Sequence, residues 1–216
     1  MSRAIQREGL AHAAPVLAGA IIMEALWVST IAVAIAEIGD KTQLLAIILA
    51  VRYRAPVPII LGILVATLAN HALAALVGAS VSAWLQGPVF QGLIGVGFLA
   101  MAAWALIPDK DDETAARHRG SVFVTTLIAF FLVEIGDKTQ VATALLAARF
   151  QDLVLVTIGT TLGMMLANVP AVFLGEAATK VVPLAVVRMI AAAIMALMGL
   201  WALTAAFGFL PGLPGA

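Results

Sequence analysis

The heptapeptide Glu-Ile-Gly-Asp-Lys-Thr-Gln occurs twice in this chain, at Glu37–Gln43 and at Glu134–Gln140, each time inside a long apolar run. A charged side chain at the centre of a membrane-spanning helix costs about 2.5–3.5 kcal/mol. Each copy carries three such side chains, a glutamate, an aspartate and a lysine. An identical charged segment in two apolar surroundings therefore indicates one site that is assembled from two halves.

The composition around the motifs is typical of an integral membrane protein. Of the 216 residues, 63% are hydrophobic and 11% are charged, whereas soluble domains average about 45–50% and about 25%. The net charge is zero and no basic cluster occurs, so we expect no nucleic-acid partner. The absence of cysteine from the sequence excludes disulfides, thiolate zinc sites and cysteine nucleophiles.

Six apolar segments, each near or above the roughly 20 residues that span a bilayer, predict an all-α polytopic membrane protein. Connections that contain proline, glycine and charged residues separate them. The predicted transmembrane helices cover residues 16–51, 57–85, 88–107, 121–148, 153–176 and 183–210.

Other landmarks keep the separation of the two motifs. Glu37 and Glu134 are 97 positions apart, and so are Gly62 and Gly159. These matches indicate duplication of a three-helix unit. Because each unit has an odd number of spans, the second unit must insert upside down, as in inverted-repeat transporters. We therefore predict a first three-helix repeat over residues 1–107, a cytoplasmic linker over 108–120 and a second, inverted repeat over 121–216.

One landmark departs from this separation by a single position. Leu-Ala-Asn at 68–70 recurs at 166–168, so Asn70 matches Asn168 and His71 aligns with Val169. Two interpretations of the asparagines stay open, that they orient the motif carboxylates or that they join helices by hydrogen bonds. For His71 a satisfied polar contact is the first interpretation and a proton relay the second.

The basic residues of the short loops predict the orientation in the membrane. Loops on the cytoplasmic side carry an excess of lysine and arginine. The central loop is therefore expected in the cytoplasm and both termini outside. Three basic residues, Arg3, Arg7 and Arg149, lie on the outer side. Seven lie on the cytoplasmic side: Arg52, Arg54, Lys110, Arg117, Arg119, Lys180 and Arg188.

On a continuous helix the motif would present its charges on one face. Glu37, Asp40 and Lys41 have the spacing i, i+3 and i+4, and Gly39 permits either close helix approach or local unwinding. Antiparallel packing of the first and fourth segments would bring Asp40 to the equivalent Asp137. A simpler alternative is an intrahelical salt bridge between Glu37 and Lys41, which leaves Asp40 unpaired.

The charges of the combined site suggest its ligand. Four carboxylates and two lysines give a formal charge of −2, which one divalent cation or two protons can neutralise. Competition between the two for the same carboxylates is the minimal requirement for exchange. Oxygen ligands favour a hard ion such as Ca²⁺, Mn²⁺ or Mg²⁺. The predicted cation- and proton-binding residues are Glu37, Asp40, Glu134 and Asp137.

The remaining polar residues of the motifs are predicted to support these carboxylates. Gln43 and Gln140 are candidate metal ligands through their amide oxygens, or they hydrogen-bond between helices. The threonines either contribute directly or bond back to their own helix. The predicted supporting residues are Lys41, Thr42, Gln43, Lys138, Thr139, Gln140, Asn70 and Asn168.

With Glu-Ile-Gly-Asp-Lys-Thr present twice, the chain resembles the Gdt-type Ca²⁺/Mn²⁺:H⁺ antiporters, a family that includes bacterial manganese exporters. The family pattern is two copies of Glu-x-Gly-Asp-(Lys/Arg)-(Thr/Ser) in inverted halves, and both copies here match it. The resemblance implies Ca²⁺ or Mn²⁺ transport against protons, with the four motif carboxylates in the ion site. The resemblance leaves the preferred ion open. The bacterial length of the chain, without a long leader, favours export of manganese from the cytoplasm across a bacterial plasma membrane.

Three other functions agree with parts of the sequence. An amino-acid exporter of the lysine-exporter kind also uses six spans but gives no reason for two identical acidic motifs. An intramembrane aspartyl protease would pair Asp40 with Asp137, and the adjacent lysines oppose the sharing of a proton. A non-transporting assembly factor would not need paired carboxylates. Without an ATP-binding motif we expect a secondary transporter, not an enzyme, with no cofactor and with the cation as substrate.

Overall fold

The computed structural model describes residues 23–85, 87–107, 121–174 and 184–207. These residues form eight helices and no strand, which confirms the all-α prediction. The predicted linker 108–120 and both chain ends lie outside the described residues. In chain order the helices are α1 (23–37), α2 (Lys41–Tyr53), α3 (Pro56–Trp84), α4 (Pro88–Ala105), α5 (Val122–Glu134), α6 (Lys138–Phe150), α7 (Leu153–Leu174) and α8 (Leu184–Ala206).

The helices have the surface of a membrane protein. Among the described residues, α3, α4, α7 and the part of α8 from Arg188 onward are long and apolar enough to cross a bilayer. Large apolar side chains lie on the outside, and Trp27 and Trp84 are 54% and 88% exposed. Polar side chains, in contrast, are buried at the centre, an arrangement that is stable only when the surroundings are lipid.

The first and fourth predicted segments are not single helices. Each consists of two half-helices, α1 with α2 and α5 with α6, that meet at a heptapeptide motif. A helix of 13 residues, the length of α2, α5 and α6, is about 20 Å long and shorter than a hydrocarbon core of about 30 Å. The prediction of a continuous helix through each motif is therefore wrong.

Local sequence signals set the helix ends. Pro56 and Pro88 occupy the first turns of α3 and α4, where a missing N–H leaves no hydrogen bond unmade. The Asp152 carboxylate accepts a hydrogen bond from Leu155 N at the start of α7, at 2.9 Å. At the ends of α2 and α6, Arg54 and Gln151 adopt the left-handed conformation that terminates a helix.

The packing of α3 on α5 is repeated by the packing of α7 on α1. A Cβ atom at Gly62 would lie 2.9 Å from the Phe123 carbonyl oxygen, and one at Gly159 would lie 2.6 Å from that of Leu26. Both partners in one contact are 97 positions from their counterparts in the other. Reciprocal contacts of this kind are the mark of a two-fold relation between two packed units.

The same contacts correct the alignment of the two halves. They relate α3 to α7 by 97 positions without the one-residue shift that the Leu-Ala-Asn match suggested. The counterpart of His71 is therefore Asn168, not Val169. Both residues are fully buried, so the two halves place a histidine and an asparagine at equivalent interior positions.

We expect Gly78→Ala to destabilise the protein. A Cβ atom at Gly78 would lie 2.0 Å from the Ala144 carbonyl oxygen, so α3 and α6 would have to separate. Overpacking of this kind costs about 1–3 kcal/mol. Thermal unfolding in detergent should show a lower midpoint temperature for this variant.

Gly92→Ala is the matched control, because a Cβ atom at Gly92 in α4 would meet no atom within 4 Å. Alanine favours a helix over glycine, so this variant should keep or raise the midpoint. Equal midpoints for the two variants would contradict the close contact of α3 with α6.

Candidate functional site

The first motif contains a break between two half-helices. Helix α1 ends at Glu37, Gly39 has a φ of +79°, and α2 begins at Lys41. Asp40 has extended backbone with a ψ of 167°, and its N–H donates to the Glu37 carbonyl at 3.1 Å. Glycine adopts positive φ at little cost, so it permits the chain to leave one helix and start the next.

The second motif repeats this geometry. Gly136 has a φ of +76°, Asp137 has a ψ of 167°, and the Asp137 N–H donates to the Glu134 carbonyl at 3.1 Å. Local unwinding, one of the two expectations for the motif glycine, is therefore observed in both copies. The glutamate of each motif ends one half-helix, whereas the lysine begins the next.

Gln43 and Gln140 stabilise the two breaks. The Gln43 Oε1 atom accepts from the Gly39 N–H at 2.8 Å, and the Gln140 Oε1 atom accepts from the Gly136 N–H at 2.7 Å. Gln43 also donates to the Ala167 carbonyl in α7, at 3.0 Å. Aspartate at the N-cap with glutamine three residues later is a known helix-start signal, so the sequence contained evidence for these breaks.

Glu37 joins the two motifs. Its carboxylate accepts a hydrogen bond from Thr42 at 2.6 Å and another from Thr139 of the second motif. Glu37 is fully buried, and hydroxyl donors stabilise a carboxylate that has no access to water. The threonines therefore contribute directly to the site, and the contact from Thr139 crosses between the halves.

Lys41 also bonds across the two halves. Its ammonium lies 3.2 Å from the Asp137 carboxylate, which is 5% exposed. The expected intrahelical pair of Lys41 with Glu37 is therefore replaced by a pair between motifs. The reason is the break at Gly39, which removes the helical register that would place the two side chains one turn apart.

Glu134 has the most unusual environment of the four acids. It is fully buried, and neither carboxylate oxygen has a hydrogen-bond partner among the described residues. It lies within electrostatic range of Glu37, Asp137 and Lys41. An isolated buried carboxylate is costly, so this group is suited to take up a cation or a proton.

The other predicted supporting residues bond to backbone carbonyls. Lys138 donates to the Ile107 carbonyl, which follows α4, at 2.9 Å. Asn70 donates to the Phe131 carbonyl of α5 at 3.1 Å, and Asn168 donates to the Met164 carbonyl of its own helix at 3.0 Å. Asn70 therefore joins α3 to α5, whereas Asn168 bonds within α7.

All four half-helix ends meet at this cluster. The Lys41–Asp137 pair brings the N-terminal ends of α2 and α6 together, and the Thr139–Glu37 bond adds the C-terminal end of α1. Helix N-termini carry partial positive charge and C-termini partial negative charge. Carboxylates and a cation can therefore be held side by side where such ends converge.

A small cavity of about 40 Å³ leads to the cluster. Asp40 and Thr139 line it together with the C-terminal part of α4 and the N-terminal part of α8, including Ala105 and Arg188. A site of this size can hold a few water molecules.

The four acids are not arranged as a metal-binding site in this structure. Within the described part of the chain, no three histidine, aspartate or glutamate side chains are close enough together to hold a metal ion. Lys41 and the two threonines instead hold Asp137 and Glu37. Sequence reasoning missed this crosswise arrangement, because contacts between residues about 100 positions apart have no local signal.

Comparison with known proteins places the chain in a family. The family model described as "Divalent cation/proton antiporter GDT1" matches residues 25–113 and 122–208. A protein of Vibrio cholerae serotype O1 named "Putative manganese exporter" is 51% identical over 181 residues, which cover 83% of this chain and 90% of that protein. No solved structure matches the chain. The chain belongs to the GDT1 family of divalent cation/proton antiporters and is a transporter of divalent cations.

Proposed function

We propose that the protein exchanges a divalent cation, Mn²⁺ and/or Ca²⁺, for protons and exports Mn²⁺ from the cytoplasm. The observation that carries this proposal is the crosswise bonding of the two acidic motifs, Lys41 to Asp137 and Thr139 to Glu37. It supports one shared site in which cation and protons compete for Glu37, Asp40, Glu134 and Asp137. The family match favours this function over that of an amino-acid exporter.

The proposed architecture is six spans in two inverted repeats, residues 1–107 and 121–216. In this arrangement the six spans are the four continuous helices and two broken spans, α1–α2 and α5–α6. The reciprocal contacts of Gly62 with Phe123 and of Gly159 with Leu26 support it, since each pairs one repeat with the other. Broken helices near the bilayer midplane are common at the ion sites of such transporters.

In the proposed mechanism the cation takes the place of Lys41 beside Asp137. The buried carboxylate of Glu134 supplies further oxygens, because no described residue hydrogen-bonds to it. Gln43 and Gln140 keep one lone pair on each amide oxygen beyond the bond to the glycine N–H, so a ligand role remains open to them. When the cation leaves, protons and the lysine neutralise the acids again.

The direction of access follows from the cavity and the charge distribution. The cavity reaches Asp40 from the side on which Ala105 and Arg188 lie. In the predicted topology the loops of that side carry the excess of lysine and arginine, which favours the cytoplasm. We therefore propose that this arrangement takes up the ion from the cytoplasm of a bacterial inner membrane. The printed name of the Vibrio relative supports Mn²⁺ as the exported ion.

The decisive experiment measures Mn²⁺ and Ca²⁺ flux in proteoliposomes under an imposed pH gradient. Flux should follow the gradient in the wild type. It should fall at least about tenfold in Glu37→Gln, Glu134→Gln and the double variant Asp40→Asn/Asp137→Asn, since loss of one charge-assisted contact costs about 1.5–3 kcal/mol.

Glu24→Gln is the control for this series, because it removes an exposed carboxylate from α1 without touching the cluster. Its flux should match the wild type. Flux that ignores the pH gradient, or that persists in the double aspartate variant, would falsify the proposal.

The formal charge of −2 predicts an electroneutral exchange of two protons for one divalent cation. The exchange rate at a fixed pH gradient should therefore not change when a membrane potential is imposed with K⁺ and valinomycin. A rate that rises or falls steadily with the potential would indicate a different stoichiometry.

Thr139→Val should reduce transport about tenfold or more, because a lost hydrogen bond to a charged group costs about 1.5–3 kcal/mol. Thr139→Ser keeps the hydroxyl and should retain most of the rate. Thr143→Val is the matched control, since its buried hydroxyl donates only to the Thr139 carbonyl one turn back. Equal rates for the two valine variants would show that the bond to Glu37 is dispensable.

A further inference from the structure

Helices α3 and α7 pack against each other with apolar contacts at both ends of the interface. Ala75 of α3 belongs to one buried apolar cluster with Val156 of α7. Ile63 of α3 belongs to a second cluster with Ala171 and Val172 of α7. The two helices are therefore antiparallel.

Both helices bury polar side chains between these apolar ends, each at most 5% exposed. We call them the α3/α7 polar layer: Thr67, Asn70, His71, Thr157, Thr160, Thr161 and Asn168. Seven of their polar atoms have no hydrogen-bond partner within the described ranges: Thr67 Oγ1, Asn70 Oδ1, His71 Nδ1, His71 Nε2, Thr157 Oγ1, Thr161 Oγ1 and Asn168 Oδ1.

A protein interior with so many unpartnered polar atoms is unstable. Each buried polar group without a hydrogen bond costs about 1–3 kcal/mol, and more than nine in ten buried groups in proteins have a partner. His71 is the strongest case, because an imidazole carries a donor and an acceptor and both of its nitrogens are unpartnered. Buried water is the usual partner of such groups.

The polar layer reaches both motifs. On one side the Asn70 amide bonds to the Phe131 carbonyl of α5, one turn before the unpartnered carboxylate of Glu134. On the other side Gln43 of the first motif bonds to the Ala167 carbonyl, next to Asn168. The layer is therefore adjacent to the half-helix ends that carry the acids.

The polar layer is separate from the cavity that reaches Asp40. That cavity is lined by residues of α1, the first break, α4, α6 and α8, and none of its lining residues comes from α3 or α7. The described structure thus has two distinct features beside the cluster. One is an open cavity, and the other is a chain of buried polar atoms.

We propose that ordered water molecules bridge the α3/α7 polar layer and that His71, together with this water, forms a proton path to Glu134 distinct from the cation route. The imidazole accepts a proton at one nitrogen while it releases a proton from the other, so its own charge is restored after each transfer. The Asn168 amide, its counterpart, cannot do this, which makes the path a property of one half. This inference rests on the proposed exchange of cations for protons.

The first test does not depend on transport. In X-ray radiolytic footprinting of the full-length protein in nanodiscs, hydroxyl radicals formed from bound water modify neighbouring buried side chains. His71 should be modified well above Phe130, which is equally buried but lies in an apolar cluster. Protection of His71 equal to that of Phe130 would overturn the proposal.

The second test measures proton and Mn²⁺ movement together in proteoliposomes, with the Mn²⁺ dissociation constant measured separately. His71→Gln should slow the coupled exchange about tenfold or more, as expected for loss of a proton-transfer group, and change the dissociation constant less than about twofold. A purely structural role would weaken binding and thermal stability together. Coupled exchange at the wild-type rate would overturn the proposal.

A matched pair on α7 covers the case in which His71→Gln does not fold. Thr161→Val removes an unpartnered hydroxyl of the layer and should slow proton movement. Thr160→Val removes a hydroxyl that already donates to the Val156 carbonyl at 2.8 Å, and its rate should match the wild type. Equal rates for the pair would contradict the proton path.

Absence of any proton coupling in the wild type would contradict the proposed function. Footprinting would still show whether water occupies the layer.

Discussion

The lack of water in the bilayer core is the constraint on which the rest of this structure depends. Every charge and every interrupted backbone hydrogen bond in that region needs a partner from the protein or from a bound species. Two helices break there, at Gly39 and Gly136. Each break is capped by its own glutamine, but the charges are shared between the halves, with Thr139 bonded to Glu37 and Lys41 to Asp137. Each motif therefore has a charged group that bonds to the other half.

The two halves are nearly equal in backbone and unequal in side-chain contacts. The backbone at Asp40 and Asp137 agrees within about 1° in φ and ψ. Glu37, however, accepts two threonine hydroxyls, whereas Glu134 has no hydrogen-bond partner in the described structure. Equal backbones with unequal contacts are compatible with the proposed exchange mechanism, because an exchange of roles between the two glutamates would require no new fold.

The sequence predicted the membrane class, the paired motifs and the family, since hydropathy and exact repetition can be read locally. Its main error came from the assumption that a helix runs through the motif. Helical periodicity places Glu37 and Lys41 one turn apart, and Gly39 is compatible with both a continuous and a broken helix. The signal for the break was present as Asp-Lys-Thr-Gln, an N-cap with a glutamine at the third helical position. The one-residue error at His71 has a separate cause, since the Leu-Ala-Asn match is 98 positions apart whereas the glycines are 97 apart.

The sequence by itself determined that two identical charged motifs lie in apolar surroundings and that their net charge is −2. It could do so because composition and repetition need no knowledge of contacts. Only the tertiary structure decided the partners of these side chains. Lys41 pairs with Asp137, and Thr139 donates to Glu37. Glu134 has no hydrogen bond among the described residues. These pairs join residues about 100 positions apart, and packing of small residues such as Gly62 and Gly159 against neighbouring backbones sets their distances. Such distances arise from the fit of whole helices and not from any local segment.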